Sequence, residues 1–343
     1  MKTTISSRLA IVIIVAGIGF FYACTKSSSS NSSTSSTSSP ADLQASSDDQ
    51  SQVSYESDAV MDDANTSLSG QMAISGASAD QTDRSGRITT LGIKQEDTAG
   101  VAFDSVYTNL ICDASVAVSD TGGTRAITIT YNGTNCSGTR TRTGTVVISI
   151  PKGVYWKDAG AAVTVSIQNL TITRLRDNKV IIINGTKTYT NVSGGLIVDL
   201  PNLGSIVHTV SGSMTITFPN ASERQWNVAK QRTFTYSDGV VVTTTGTHTD
   251  SLNNTDVAEW GVDRFGTSFE ALISQPKVIA QSCDFRLTGG QDELLRSDNV
   301  TLTLTYGLDA SGNATTCPGT GTYYFKAVIV GPKGLSYTYI LPY

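Results

Sequence analysis

The run Trp260-Gly261-Val262-Asp263-Arg264-Phe265-Gly266 gathers two aromatic rings, a carboxylate and a guanidinium between two glycines. Such groups stack on a ring and hook an anion, which makes Trp260, Asp263 and Arg264 a candidate binding lip. The competing reading pairs Asp263 and Arg264 as satisfied charges and packs the aromatics as a corner of a sheet. Glu223, Glu259, Asp263, Glu270 and the Asp292-Glu293 pair are the carboxylates that could supply a glycoside-cleaving couple. That chemistry needs two carboxyl groups about 5–9.5 Å apart in a cleft. The two histidines, His208 and His248, lie in Thr- and Ser-rich strands with no neighbours for a triad, so both are expected on exposed strand faces. Gly-x-Ser-x-Gly, His-Glu-x-x-His and phosphate-binding glycine loops are missing from the sequence, so no catalytic residue, cofactor or metal is assigned. Asp309-Ala-Ser-Gly-Asn313 opens like a calcium loop but lacks the distal glutamate, and reads as a hairpin turn.

Cys24 offers a different chemistry. A positive head (Lys2, Arg8), an apolar run from Leu9 to Phe21 and a small residue, Ala23, precede it. Cleavage there would leave Cys24 first in the chain, where it looks like the acylated cysteine of a bacterial lipoprotein signal. The thirteen apolar residues from Leu9 to Phe21 rise only about 20 Å as a helix, short of a hydrocarbon core of about 30 Å. Residues 1–23 are therefore read as a signal peptide, and several acyl chains would make the anchor durable. Four cysteines follow: Cys112, Cys136, Cys283 and Cys317. An even number in an exported chain points to disulfides, with three pairings open. Neighbour pairing, Cys112 with Cys136 and Cys283 with Cys317, closes turn-rich loops and should contribute about 3–4 kcal/mol per bridge. Zinc binding lacks any Cys-x-x-Cys spacing.

The elements that would carry these groups follow from composition and period. Residues 24–41 are dominated by Ser and Thr and read as a flexible tether. Residues 42–86 form an N-terminal segment with one short helix over about 50–68, where Val53, Val60, Ala64 and Leu68 fall near helical spacing. Asp48, Asp49, Glu56 and Asp58 complement the positive end of that helix. The chain carries a formal charge of −5, and loss of Lys2 and Arg8 with the signal makes it −7. An acidic chain without a basic run argues against nucleic acid as a partner.

Residues 87–343 alternate with period two, as in Met214-Thr-Ile-Thr-Phe218 and Val300-Thr-Leu-Thr-Leu-Thr-Tyr306. Turn residues such as Asp177-Asn178 and Asp238-Gly239 separate the runs. The expected fold is all-β: a long antiparallel meander forming a curved open sheet or a sandwich, with that one helix before it. A break near 251–255 marks a division into two lobes. In the strand from Ala161 to Arg174 the apolar face flips between Gln168 and Asn169, which predicts a β-bulge there. The Thr-x-Thr pairs, among them Thr128/Thr130, Thr215/Thr217 and Thr301/Thr303/Thr305, could bind ice or sugar hydroxyls. Their irregular spacing fits an ordinary solvated face instead.

The stretch Thr305 to Phe325, the closing Tyr339-Ile-Leu-Pro-Tyr343, the run Trp260 to Gly266 and the segment Ile127 to Gly138 with Arg142-Thr-Gly144 resemble a group of uncharacterised lipoproteins of Bacteroidota. The likeness covers roughly residues 100–343 and implies export, a lipid anchor with the outer membrane as its expected residence, and a β-rich body without known activity. Bacteroidota also O-glycosylate exported proteins at Asp-Ser/Thr before an apolar residue, which singles out Thr98, Ser105 and Ser251. The expected role is that of an envelope lipoprotein that binds or scaffolds, with the membrane as its partner through the lipid. Two alternatives stand beside it. A carrier would hold an apolar ligand on a concave face lined by Val146, Ile148, Ile150, Met214 and Phe218, left uncovered by the helix. A glycan hydrolase would show the carboxylate couple.

Overall fold

The computed structural model describes residues 38–77, 111–317 and 321–343. Cys24, the signal segment, Thr98 and Ser105 lie outside the described residues. No helix among the described residues is long and apolar enough to cross a membrane.

Helix α1 spans Pro40–Gly70 and is 31 residues long, starting ten residues before the predicted span. The reason is a local start signal. Ser39 Oγ accepts the Asp42 amide, the Asp42 carboxylate accepts the Ser39 amide, and Pro40 stands at the first helical turn. A short helix, α2 (Met72–Ser75), follows.

Fourteen antiparallel strands then form one sheet among the described residues. The first half comprises β1 (Ala114–Thr121), β2 (Thr124–Thr134), β3 (Arg140–Pro151), β4 (Ala161–Arg174), β5 (Lys179–Asn191), β6 (Ser205–Thr217) and β7 (Glu223–Tyr236). The second comprises β8 (Val240–Gly246), β9 (Val257–Val262), β10 (Ser268–Ala280), β11 (Arg286–Arg296), β12 (Thr301–Leu308), β13 (Tyr324–Val330) and β14 (Ser336–Pro342). A single sheet is the curved open alternative, not the two-sheet sandwich. Strands β1 and β14 are its edges.

Strands β8 and β9 share one slot between β7 and β10. The second half of β7 pairs with β8 and its first half with β9, and β10 does the same from the other side. Residues 247–256 are thus an excursion from what would otherwise be one long strand, and pairing continues past the 251–255 turn. Gly246 is required where the excursion returns, because a Cβ there would collide with the Asp256 carbonyl.

The predicted bulge is present. Register shifts between Ile167 and Leu170, and Asn169 takes φ +49° with its amide bonded to Asn184 Oδ1. Gly144 on β3 sits opposite at φ +127°, where a Cβ would lie 2.5 Å from the Asn169 carbonyl oxygen. Only glycine fits that approach, and the kinked pair bends the sheet.

What the sheet bends around is α1. Val53, Val60, Met61, Ala64 and Leu68 are fully buried in one cluster with residues of β2 through β7. Burying side chains of this size contributes about 1.5–3 kcal/mol each for the larger ones. A second apolar cluster joins Leu43 to β8 and β10 through β13. The helix is buried around most of its circumference, including Ser47, Gln50, Ser54 and Ser57. Beyond its first turn, a stripe through Gln44, Asp48, Tyr55, Ala59 and Asp62, with Ala45, Asp63 and Thr66 beside it, reaches toward solvent.

The alternation of β6 gives a direct test. Ile216 is fully buried and Thr217 is partly exposed on the opposite face. Ile216→Asp should cost several kcal/mol or prevent folding, since it places an unpaired charge in the core. Thr217→Asp should shift stability by about 1 kcal/mol or less. Thermal and urea melts of both variants check this; equal losses would mean that both faces are buried.

Candidate functional site: a charged cleft between helix and sheet

The inner face of the sheet is not purely apolar. In β7 the core-facing positions are Arg224, Trp226, Val228, Lys230, Arg232 and Phe234, so three cations share the buried parity with three apolar residues. Arg140 and Arg142 of β3, Lys187 of β5, Lys277 of β10 and Arg296 of β11 are placed in the same way. Most of these meet an acidic group of α1 or of a neighbouring strand.

Glu56 pairs with Arg140 at 3.1 Å, Asp58 with Lys230 at 3.0 Å, Asp62 with Arg232 at 2.7 Å and Asp63 with Arg142 at 2.7 Å. Asp48 and Asp49 take Arg174, Lys179 and Arg264. The acidic residues of the helix, read from sequence as complements to its positive end, are therefore the counter-charges of the sheet. Asp113 adds a fork to Arg142, 2.6 Å on both nitrogens.

Ser54 sits at the centre of this lattice. Its Oγ donates to Glu259 at 2.7 Å and accepts from Lys230 at 3.2 Å and Lys277 at 3.0 Å. Glu259 pairs with Lys230 at 2.7 Å, and Asp292 with Lys277 at 2.7 Å. Burial would raise the Glu259 carboxyl, but Lys230 and Lys277 hold it down to about 2. Burial acts on Asp48 likewise, and the Arg174 hydrogen bond with the Lys179 charge lowers it to about 2. Glu259 and Asp292, two of the candidate carboxylates, are each buried against an ammonium.

The sequence-based lip residues are placed apart in role. Asp263 is buried, pairs with Arg296 at 2.5 Å and accepts the amides of Phe265 and Thr267. Arg264 pairs with Asp49 at 2.8 Å and lies 4.4 Å from the Phe218 ring. Trp260 stacks on His248, with centroids 4.2 Å apart. Both charges are satisfied, but by other partners than each other. Ser251 is exposed in the turn after β8. Cys112–Cys136 and Cys283–Cys317 are bonded, with Cα separations of 5.2 and 5.0 Å. Disulfides of this kind belong to oxidising compartments. Asp309 accepts the amides of Ser311 and Asn313 and closes a turn. No cluster of metal-ligating side chains occurs among the described residues.

His208 corrects the sequence reading. It is 1% exposed, not solvated. It holds a core position of β6 between Ile206 and Val210, receives the Tyr189 hydroxyl at Nδ1 (2.6 Å) and packs on Trp156 and Phe234. Burial and the Arg232 charge push its imidazole down to about 3. Lys187 is also fully buried and touches Ser57 Oγ without a carboxylate partner among the described residues; burial pushes its ammonium down to about 7.

The exposed stripe of α1 opens onto a cavity of about 210 Å3. One wall is the β2–β3 turn with Arg140 and Arg142; the other is Lys277, residues 284–287 and Tyr306. Tyr55, Asp62 and Asp63 of α1 form the floor, beside Ser51, whose buried Oγ has no hydrogen-bond partner. Cysteine pairing and strand parity were readable signals here. The convergence of these residues was not, because the second wall lies more than 200 positions from the helix in the chain. The chain matches no family model, no curated protein and no solved structure.

Two measurements probe the lattice. The neutral His208 form is favoured in the folded state, so its contribution is full above pH 6.5 and is lost as pH falls toward 3. By pH 5 urea melts should show a loss of about 2 kcal/mol from this group, and His208→Gln should flatten the slope between pH 6.5 and 5. Glu259 adds a further decline between pH 4.5 and 2. Lys187→Met should raise stability at pH 6 by about 1–4 kcal/mol, because it removes a buried charge with no counter-ion. Unchanged or lower stability of that variant would show that Ser57 and the surrounding carboxylates compensate Lys187.

Proposed function

We propose that this protein is an envelope lipoprotein, anchored to a membrane through acylated Cys24, whose β body binds a small polar ligand in the cleft beside α1. The cleft carries the reading: a cavity of about 210 Å3 in which side chains of the helix and of both sheet walls converge. Export is supported by the two disulfides and by the signal-like segment before Cys24. The resemblance to Bacteroidota lipoproteins points the same way and makes the outer membrane the proposed address.

The apolar-carrier reading has less support. Val146, Ile148, Ile150, Met214 and Phe218 are all buried in the cluster that α1 completes, so the face such a carrier would use is filled. A hydrolase would need an unpaired carboxylate couple, whereas Glu259 and Asp292 are each held by a lysine.

Cys24→Ser should move the protein from the membrane to the soluble fraction and abolish labelling by a fatty-acid analogue; a variant that stays membrane-bound defeats the anchor. For the cleft, Ala59 lines the cavity and is only partly buried. Ala59→Trp should fill the space, leave the melting temperature near that of the parent and erase saturation-transfer NMR signals from a pool of polar metabolites. A pool with no binder, or binders indifferent to Ala59→Trp, would end the binding proposal.

A further inference from the structure

We infer that the cleft takes a hydroxylated ligand bearing one carboxylate, an acidic saccharide. This rests on the binding reading above and deepens it by assigning a chemical class.

The four cations lining the cavity are Arg140, Arg142, Lys277 and Arg286. The first three are neutralised by Glu56, by Asp63 with Asp113, and by Asp292. Arg286 has no carboxylate partner among the described residues. Its Nη1 donates to the Gly321 carbonyl at 2.8 Å, and its guanidinium lies 3.9 Å from the Tyr323 ring centroid. These contacts orient the group and leave Nε and Nη2 without a bonded acceptor among the described residues. An oriented guanidinium with free N–H groups matches the planar fork of a carboxylate.

The helix floor calls for different donors. Asp62 Oδ1 accepts from Arg232, and Asp63 Oδ2 accepts from Arg142 and Tyr131, so each keeps a second oxygen without a partner among the described residues. Because both carboxylates are already neutralised by guanidinium groups, they favour uncharged donors such as sugar hydroxyls over an ammonium. Ser51 adds a buried hydroxyl with no partner in the same cavity. Tyr55 and Phe285 provide ring surface of the kind against which the C–H face of a sugar packs. Asp284, the remaining unpaired carboxylate of the lining, is exposed, and water and salt screen it from the anion. A volume of about 210 Å3 is below the roughly 300 Å3 at which drug-sized sites begin, and suits one sugar ring.

The test titrates the complete folded protein with D-glucuronate, D-glucuronamide, D-glucose and glycine at low salt. Glucuronate should bind at least about tenfold more tightly than glucuronamide or glucose, the worth of one charge-assisted contact. Arg286→Gln should remove that preference, and Arg286→Lys should restore part of it. The glucuronate–glucuronamide comparison on the parent protein keeps the test decisive if an Arg286 variant fails to fold. Equal binding of the three sugars, or tighter binding of glycine, overturns the acidic-saccharide assignment and leaves the cleft as a binding site. If none of the four binds while a pool ligand blocked by Ala59→Trp does, the assignment falls alone. If nothing binds at all, both readings fall.

Discussion

The rest of this architecture depends on the charge lattice between α1 and the inner face of the sheet. A helix as polar as α1 has no strong apolar stripe with which to dock, and would ordinarily lie in water. Here the strands present cations from core-facing positions, and each would be costly to bury alone. Glu56, Asp58, Asp62 and Asp63 meet Arg140, Lys230, Arg232 and Arg142; the four cations are buried with Glu56 and Asp58, while Asp62 and Asp63 stand at the open edge. Buried ion pairs add little net stability compared with apolar packing, but removing one partner typically costs about 3–5 kcal/mol. Their effect is on specificity. Sliding the helix by one turn would set several pairs out of reach at once, so the lattice selects a single depth and rotation for α1.

That requirement explains the shape of the sheet. Thirty-one helical residues have to be surrounded, and a flat meander would cover only one side. The bulge at Asn169 opposite Gly144 bends β3 and β4, and the β8–β9 slot lets the sheet absorb the 247–256 excursion without losing pairing. Strands β1 and β14 remain edges. The helix is consequently enclosed except along one stripe, and that opening is the cleft. The polar lining of that cleft is the rim of the same lattice.

His208 and Lys187 show how the lattice shapes the interior beyond the ion pairs. Both sit at core parity, and both have their charged forms disfavoured by burial. His208 finds a neutral role as acceptor of the Tyr189 hydroxyl within an aromatic group. Lys187 reaches Ser57 and the Trp226 ring with its ammonium and forms no ion pair among the described residues. His208 therefore makes stability fall as pH drops below 6.5, and Lys187 makes it fall as pH drops from 10.5 toward 7.

Period-two alternation was enough to determine that the body is antiparallel β, because side chains must alternate between core and water along each strand. It also located the bulge between Gln168 and Asn169, since a flipped apolar parity has no other inexpensive remedy. Neighbour pairing of the four cysteines followed from chain proximity. The apolar positions of the helix, Val53, Val60, Ala64 and Leu68, were legible for the same reason as the strands. Other features were decided by tertiary structure alone. Basic residues at core parity in Arg224-x-Trp-x-Val-x-Lys230-x-Arg232 were visible as a pattern, but their meaning depends on which anion faces them, and that anion lies about 170 residues away. The burial of His208, the separation of Asp263 from Arg264 and the meeting of Tyr55 with Arg286 across a cleft share this cause. Local spacing records which face a residue occupies, whereas the partner on that face is set by how the whole sheet curls.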